Sequence, residues 1–152
     1  DSLLNRHILF NVLPDDLATP KALANYKAVY RANGKTPAAS GRFKITAPTT
    51  VRASLSRPAK ADAFHLHFVN YNRTEPSQPK SAGSGIHDEK PIAVEGVRFS
   101  FRMPEGKALK RIRFHTPEND KALKLRATAS GNQMQISIPK FLVYGVVELE
   151  FK

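Results

Sequence analysis

The 152-residue sequence contains no cysteine, no tryptophan and no long apolar run. The lack of cysteine excludes disulfide bonds, thiol catalysis and zinc sites built on thiolates. The lack of tryptophan counts against the commonest sugar-binding surfaces, which stack sugars on flat aromatic rings, and leaves only tyrosine to replace it. No run reaches the roughly 18 apolar residues of a membrane span, so we expect no membrane partner. Because the chain begins at Asp1 and not at Met, we expect a piece of a longer polypeptide.

Acidic residues are also scarce, because 13 Asp and Glu oppose 24 Lys and Arg and leave a formal net charge of +11. Such an excess attracts anionic partners and accelerates their association. Nucleic acid, an acidic or sulfated polysaccharide, and an acidic neighbouring domain would all qualify. Net charge describes association and not a site, so an ordinary solubilising surface is the simpler interpretation.

The first part of the chain predicts a strand and then a helix. Residues 8–13 form a short apolar run ended by a turn. Thr19 and Pro20 suit the N-cap and first position of a helix, and the Asn33-Gly34 pair suits its end. We assign residues 1–36 to an N-terminal strand and helix segment, a possible remnant of a preceding α/β domain.

Residues 37–152 alternate apolar and polar side chains between turns, and we assign them to a second, β-sandwich domain. Within one run Phe64 and Leu66 face one side while His65 and His67 face the other, which is typical of antiparallel sheets with one wet face. About eight such strands predict an all-β fold, an antiparallel sandwich of immunoglobulin-like or similar Greek-key type with one N-terminal helix. The predicted strands span residues 43–46, 49–56, 62–71, 92–102, 108–114, 122–129, 132–138 and 141–151.

Three local features refine this fold. The Gly131-Asn132 pair predicts a hairpin turn. The strand at 141–151 is apolar on both faces, so we expect it to lie centrally or under the helix. The stretch 72–90 has no periodicity and exceeds the usual loop length, which indicates a functional or mobile loop.

No catalytic constellation is evident. Glycoside hydrolysis needs two carboxyl groups that face each other across about 5–10 Å, and the adjacent pairs Asp15-Asp16 and Asp88-Glu89 do not supply that geometry by themselves. Gly83-Ser84-Gly85 lacks the spacing of a nucleophile elbow. We therefore predict that this chain is not an enzyme and uses no cofactor.

One histidine pair has metal-ligand spacing. His65 and His67 share a strand face, and His87, Asp88 or Glu89 would have to supply a third ligand. One hypothesis, which ranks behind the two given below, is a metal-dependent enzyme that uses this histidine pair. Ordinary polar surface is the simpler interpretation, and we predict no metal site.

The basic residues give the more informative pattern, because they share strand faces in pairs. If those faces adjoin, they form a cationic patch that binds phosphate or sulfate groups through arginine. No aromatic residues interleave with them, so nucleic acid is not the expected ligand. A solvated face, or one docked on another domain, is the alternative. The candidate anion-binding residues are Arg98, Arg102, Arg111, Arg113, Lys124 and Arg126.

Two stretches carry a resemblance to a known family. The first is Phe64-His65-Leu66-His67-Phe68-Val69-Asn70-Tyr71-Asn72. The second runs from Pro104-Glu105-Gly106 to Ile138-Pro139-Lys140-Phe141-Leu142-Val143-Tyr144-Gly145-Val146-Val147. Both resemble the small C-terminal β-sandwich domain of bacterial multidomain glycoside hydrolases, such as β-galactosidase-like proteins. Residues 8–34 are similar to the last strand and helix of the α/β domain that precedes such sandwiches.

The resemblance implies a non-catalytic domain, since the acid and the nucleophile of these enzymes lie in an upstream barrel. Our leading hypothesis is an accessory domain of a larger glycoside-hydrolase-like protein, structural or weakly polysaccharide-binding. Its partners would be other domains of the same polypeptide and an acidic polysaccharide, and a secreted or periplasmic location is favoured. The alternative is a stand-alone anion-binding module for sulfated polysaccharide or nucleic acid.

Overall fold

The structure, a computed structural model, describes His7 and residues 19–23, 43–59, 61–74 and 89–152. This part of the chain forms one helical turn and nine strands. No helix within it is long and apolar enough to cross a membrane. The elements are α1 (Pro20–Leu23), β1 (Phe43–Thr46), β2 (Val51–Ser56), β3 (Ala63–Asn70), β4 (Arg98–Arg102), β5 (Leu109–His115), β6 (Leu123–Lys124), β7 (Thr128–Ser130), β8 (Gln133–Ser137) and β9 (Tyr144–Phe151).

The strands form two antiparallel sheets, which confirms the predicted β-sandwich. The four-stranded sheet has the order β1-β4-β8-β7 and the five-stranded sheet the order β2-β3-β9-β5-β6. The connections β2–β3, β5–β6 and β7–β8 stay within a sheet, and every other strand-to-strand connection crosses to the opposite sheet. Because the chain crosses so often, hydrophobic residues from both sheets reach one shared core.

Two predicted strands differ from the observed ones. Within 92–102 regular pairing begins only at Arg98, since Gly96 has a φ of 75° that interrupts the extended backbone, and Val94 forms only an isolated bridge. The predicted strand 122–129 divides into β6 and β7, which pair in different sheets, because the chain leaves one sheet for the other between them.

Phenylalanine rings fill the space between the sheets. Phe64 of β3 meets Phe151 of β9 at a centroid distance of 5.6 Å, and Phe151 meets Phe101 of β4 at 6.2 Å. Phe101 then contacts Phe99 at 6.3 Å, and Phe99 contacts Phe68 of β3 at 6.4 Å. Full burial of one such side chain contributes about 1.5–3 kcal/mol, so this layer is the main attraction between the sheets.

The last strand, β9, lies at the centre of the five-stranded sheet between β3 and β5. This confirms the predicted central position, but the expectation of two apolar faces is wrong, because the outer face of the strand carries two carboxylates. Its inward residues begin with Gly145, which lies opposite Phe68, and continue through Val147 and Leu149. Its outward residues include Glu148 and Glu150, which lie opposite Arg113 and Arg111 of β5.

A buried asparagine ties together one end of the sandwich. The Asn70 side chain donates from Nδ2 to the carbonyl oxygens of Ile92 at 2.8 Å and Leu142 at 2.6 Å. Its Oδ1 accepts the backbone N–H of Asn72 at 3.0 Å. Because burial of an unpaired amide is costly, these bonds hold the segments around residues 72, 92 and 142 against the end of β3.

The turn predictions are confirmed where the structure describes them. Gly131 and Asn132 form the hairpin turn between β7 and β8, and Gly131 has the φ of 57° that its first central position requires. The helical turn begins at Pro20, as predicted. The predicted strand at 8–13 and helix residues 24–33 lie outside the described residues, and the division into domains 1–36 and 37–152 stays a prediction.

The two ends of the predicted long loop are held together. Arg73 pairs with Pro91 in an isolated bridge and forms an ion pair with Glu89 at 3.0 Å. The backbone N–H of Thr74 donates to the carbonyl oxygen of Lys90 at 2.9 Å. The described ends therefore continue as a short antiparallel ladder, and residues 75–88 between them lie outside the described residues.

Substitution Gly145→Ala tests the tight contact beneath β9. A Cβ at this position would lie 2.5 Å from Cε2 and 2.7 Å from Cζ of Phe114, a fully buried ring. Because overpacking a core costs about 1–3 kcal/mol, we expect the free energy of unfolding to fall by that amount in denaturant titrations. In a Phe114→Leu background the same substitution should cost less. Equal costs in both backgrounds would rule out the contact as the cause.

Candidate functional site

The outer face of the five-stranded sheet carries a row of polar side chains across all five strands. Register places Ser56 opposite His65, His65 opposite Glu148, Glu148 opposite Arg113, and Arg113 opposite Lys124. Glu148 therefore lies in the middle of the row on the central strand. We call this surface the β9 face, and its polar residues are Arg52, Ser54, Ser56, His65, His67, Arg111, Arg113, His115, Lys124, Tyr144, Glu148 and Glu150.

Glu148 is held by two basic neighbours. Arg113 donates to it through both Nε at 2.9 Å and Nη2 at 3.0 Å, a bidentate pair, and His115 Nε2 lies 3.3 Å from the same carboxylate. Burial acts to raise the pKa of Glu148, but the hydrogen bonds and charges of Arg113 and His115 outweigh it and leave the pKa below its usual value. The carboxylate is therefore ionised and already has partners within the chain.

Glu150, two residues further along β9, is also held by two basic neighbours. Lys110 and Arg111 both form ion pairs with its carboxylate. The hydrogen bond from Lys110, together with that from Arg111 and both charges, lowers the pKa of Glu150 against the opposing effect of burial. The two carboxylates of β9 thus form ion pairs with the three lysine and arginine side chains of β5.

Both ring nitrogens of His67 form hydrogen bonds. Nε2 lies 2.9 Å from Ser56 Oγ and Nδ1 lies 2.7 Å from the Tyr144 hydroxyl. Burial, with a smaller contribution from the charge of His65, lowers the pKa of His67 and favours the neutral imidazole. A Ser–His contact can serve nucleophilic catalysis when a carboxylate orients the imidazole, but here a phenol occupies that place. The contact is therefore structural in character.

The histidine pair does not gather further ligands in the part of the chain that is described. The His65 and His67 rings lie 6.4 Å apart between centroids. No group of three or more potential metal ligands occurs among the described residues. Glu89, one of the proposed third ligands, instead pairs with Arg73, and His87 and Asp88 lie outside the described residues.

A shallow groove of about 280 Å³ borders the β9 face at the Tyr144 end. Asp120 is the carboxylate in its lining. Glycoside hydrolysis requires a second carboxyl group that faces the first, so the lining supplies a surface for contact and not a hydrolytic pair. The residues that line it are His115, Thr116, Pro117, Asn119, Asp120, Ala122, Tyr144 and Val146.

The outer face of the four-stranded sheet is different in charge. Arg98 and Arg102 point outward from β4, because Phe99 and Phe101 between them are buried. Lys44 of β1 is exposed and lies opposite Ser100, midway between the two arginines. We call this surface the basic face, and its strand residues are Lys44, Thr46, Arg98, Ser100, Arg102, Thr128, Ser130, Gln133, Gln135 and Ser137.

The six candidate anion-binding residues fall on opposite sides of the sandwich. Arg98 and Arg102 belong to the basic face, whereas Arg111 and Arg113 lie on the β9 face in ion pairs with Glu150 and Glu148. Lys124 lies beside Arg113, and Arg126 follows β6 and is exposed. The six residues therefore do not form a single patch, and the condition that their strand faces adjoin is not met. The two sheets turn their outer faces in opposite directions. Anion binding itself stays a prediction.

Sequence reasoning missed the residues that decide which cations are paired. Glu148 and Glu150 are two apart on the last strand, so their period-two spacing already indicated one shared face. Their partners on β5 depend on strand order, which the sequence does not contain. Lys44 was missed for the same reason, since only the pairing of β1 with β4 brings it between Arg98 and Arg102.

The fold is similar to parts of two much larger carbohydrate-active enzymes. One is an α-L-fucosidase isoenzyme 2 from Paenibacillus thiaminolyticus, with a TM-score of 0.51 and 19% identity over 73% of this chain and 15% of that one. The other is a cycloisomaltooligosaccharide glucanotransferase from Paenibacillus sp., solved with cycloisomaltoheptaose, with a TM-score of 0.50 and 13% identity over 70% of this chain and 16% of that one. Comparisons with protein-family models and with curated proteins found no match. The matched part of this chain thus spans about a sixth of the length of either enzyme.

Substitution Glu148→Gln tests the ion pair at the centre of the β9 face. Because the folded-state pKa lies below the unfolded value of about 4.3, the carboxylate stabilises the fold above that pH, and this contribution is lost as the pH falls through the folded-state pKa. At pH 7 we expect a loss of about 1 kcal/mol by urea titration.

The matched control is Glu95→Gln, which removes an exposed pair with Lys140 and should change stability little. Wild type and the Glu148 variant should converge in stability at low pH. A difference that persists there would show that the pair is not its cause.

Titration of His67 by NMR tests the lowered pKa. We expect its midpoint below 6.5, and His65→Asn should raise the midpoint part of the way, since burial remains. Because the folded state favours neutral imidazole, His67 stabilises the fold above that pH and less so as the pH falls. A midpoint at or above 6.5, or one that does not respond to His65→Asn, would contradict this account.

Proposed function

We propose that this chain is a non-catalytic accessory domain of a larger glycoside-hydrolase-like polypeptide, placed C-terminal to the catalytic part. The observation that carries the proposal is the fold, a sandwich that covers only 15% and 16% of two carbohydrate-active enzymes. A domain that makes up so small a part of an enzyme suits a role in packing on the catalytic part or in binding its polysaccharide.

The described surface supports a non-catalytic role. The inner faces of the sheets are filled by side chains, and the groove beside Tyr144 is shallow with Asp120 as its carboxylate. Glu148 and Glu150 on the β9 face are bound by arginine and lysine. These two carboxylates are thus already paired, and Asp120 lines the groove without a second carboxyl group in the lining.

An apolar patch suits contact with the rest of the polypeptide. Tyr71, Ile92 and Val143 are exposed by 61%, 42% and 40%. They lie together at the Asn70 end, because Asn70 bonds to the carbonyl oxygens of Ile92 and Val143 and precedes Tyr71. An exposed apolar group rimmed by polar residues is typical of an interaction surface.

The reading frame that encodes the chain tests the proposal most simply. We expect sequence upstream of Asp1 that encodes a barrel with paired carboxylates. The purified chain should hydrolyse none of a panel of 4-nitrophenyl glycosides. An open reading frame that encodes this sandwich alone, or turnover that survives repeated purification, would overturn the proposal.

Substitution Tyr71→Ser tests the apolar patch in the longer polypeptide. If the patch packs on a neighbouring domain, the variant should expose the junction and accelerate its cleavage in limited proteolysis, while the unfolding of the isolated chain should change little. Leu123→Ser is the matched control, because Leu123 is exposed by 39% on the edge strand β6. Equal acceleration by both variants would contradict a specific contact.

A further inference from the structure

Ion pairs between strand residues occur on the β9 face, where Arg52 and Lys124 form none, and no ion pair joins strand residues of the basic face. On the β9 face Arg111 and Arg113 form ion pairs with Glu150 and Glu148. On the basic face none of the strand residues is acidic. Among the described residues, Lys44, Arg98 and Arg102 form no ion pair. The basic face therefore carries uncompensated charge, which an anionic partner would neutralise.

The three cations form a triangle along the strand direction. Arg98 and Arg102 are four residues apart on β4, which separates their backbones by about 13 Å in an extended strand. Lys44 lies midway between them on the adjacent strand, about 4.8 Å to the side. This spacing suits charges repeated along a polymer, since each of the three cations can then bind a separate anionic group.

The remaining side chains of the basic face are uncharged hydrogen-bonding groups. Gln135 lies opposite Ser100 and Thr128, so hydroxyl and amide groups extend from the cations across β4, β8 and β7. Hydroxyls and amides both donate and accept, which is the chemistry that the hydroxyl groups of a sugar need. No strand residue on this face is apolar or aromatic.

This composition distinguishes among anionic partners. Binding of single-stranded nucleic acid relies on aromatic stacking, which the face lacks. The edges of bases in duplex DNA are reached by a helix or a two-stranded ribbon that enters a groove, and not by a flat sheet. A stable protein interface has an apolar centre, which is also lacking. A hydrophilic polymer with regular negative charge fits each of these conditions.

We propose that the basic face binds a linear anionic polysaccharide, with Lys44, Arg98 and Arg102 on its sulfate or carboxylate groups and Ser100, Gln133 and Gln135 on its hydroxyls. This inference rests on the proposed function, because the choice of a glycan as the ligand comes from there. Arginine suits the role because its planar guanidinium donates two parallel hydrogen bonds to a carboxylate or sulfate.

Affinity measurements on the full 152-residue chain test the proposal, with heparin, polygalacturonate and neutral dextran as probes. We expect binding to at least one of the two anionic polymers at about 0.15 M salt, and none to dextran. Binding to polygalacturonate would show that carboxylates suffice, whereas binding to heparin alone would show that sulfates are required. No binding to either polymer would overturn the proposal, as would equal affinity for a DNA duplex.

The decisive comparison removes two positive charges from the basic face or two from residues outside its strands. The double variant Arg98→Gln/Arg102→Gln should weaken binding on the order of tenfold and make the dependence of affinity on salt shallower. The control Lys124→Gln/Arg126→Gln also removes two charges from exposed positions, and it should have little effect. Equal losses would show that net charge alone drives binding and would overturn the proposal. Thermal unfolding should be unchanged in both variants.

Failure of this proposal is distinguishable from failure of the proposed function. A chain that binds neither polymer but follows an encoded catalytic barrel refutes polysaccharide binding and leaves the accessory role intact. A chain that binds heparin through Arg98 and Arg102 but is encoded alone keeps the binding site and refutes the accessory role.

Discussion

Phenylalanine rings contributed by both sheets meet in one layer between β3, β4 and β9, and every other feature depends on that layer. The layer closes the interior, since Phe101, Phe68 and Phe114 are fully buried. It also leaves so little space under β9 that Gly145 is needed where Phe114 crosses the strand. Because the inner faces are sealed against each other, recognition in the described part of the chain is confined to the outside.

The two outer faces use basic residues in opposite ways. On the β9 face the cations hold the sheet together laterally, since Arg113 and Arg111 bridge β5 to the carboxylates of the central strand. On the basic face the cations lie in a field of uncharged polar groups and have no carboxylate on their strands. The net charge of +11 is thus distributed differently on the two sides, since ion pairs join strand residues on the β9 face and none joins strand residues of the basic face.

Much of the fold was predictable from local patterns, and the site was predictable only in part. The period-two alternation of Phe64 to Phe68 and the Gly131 turn depend on neighbours in sequence, so the strand, its faces and the hairpin followed directly. The partner of a cation depends on strand order, which five connections between the sheets determine. Grouping Arg98 with Arg111 therefore failed, although each was placed on the correct kind of strand.

We propose that recognition belongs to the outer face of the four-stranded sheet. Mapping of backbone amide chemical shifts during titration with a heparin-derived oligosaccharide tests that claim most directly. Shifts concentrated on β1, β4 and β8, with β5 and β9 unaffected, are the predicted result. Shifts centred on the Tyr144 groove or on the β9 face, or spread evenly over both sheets, would contradict it.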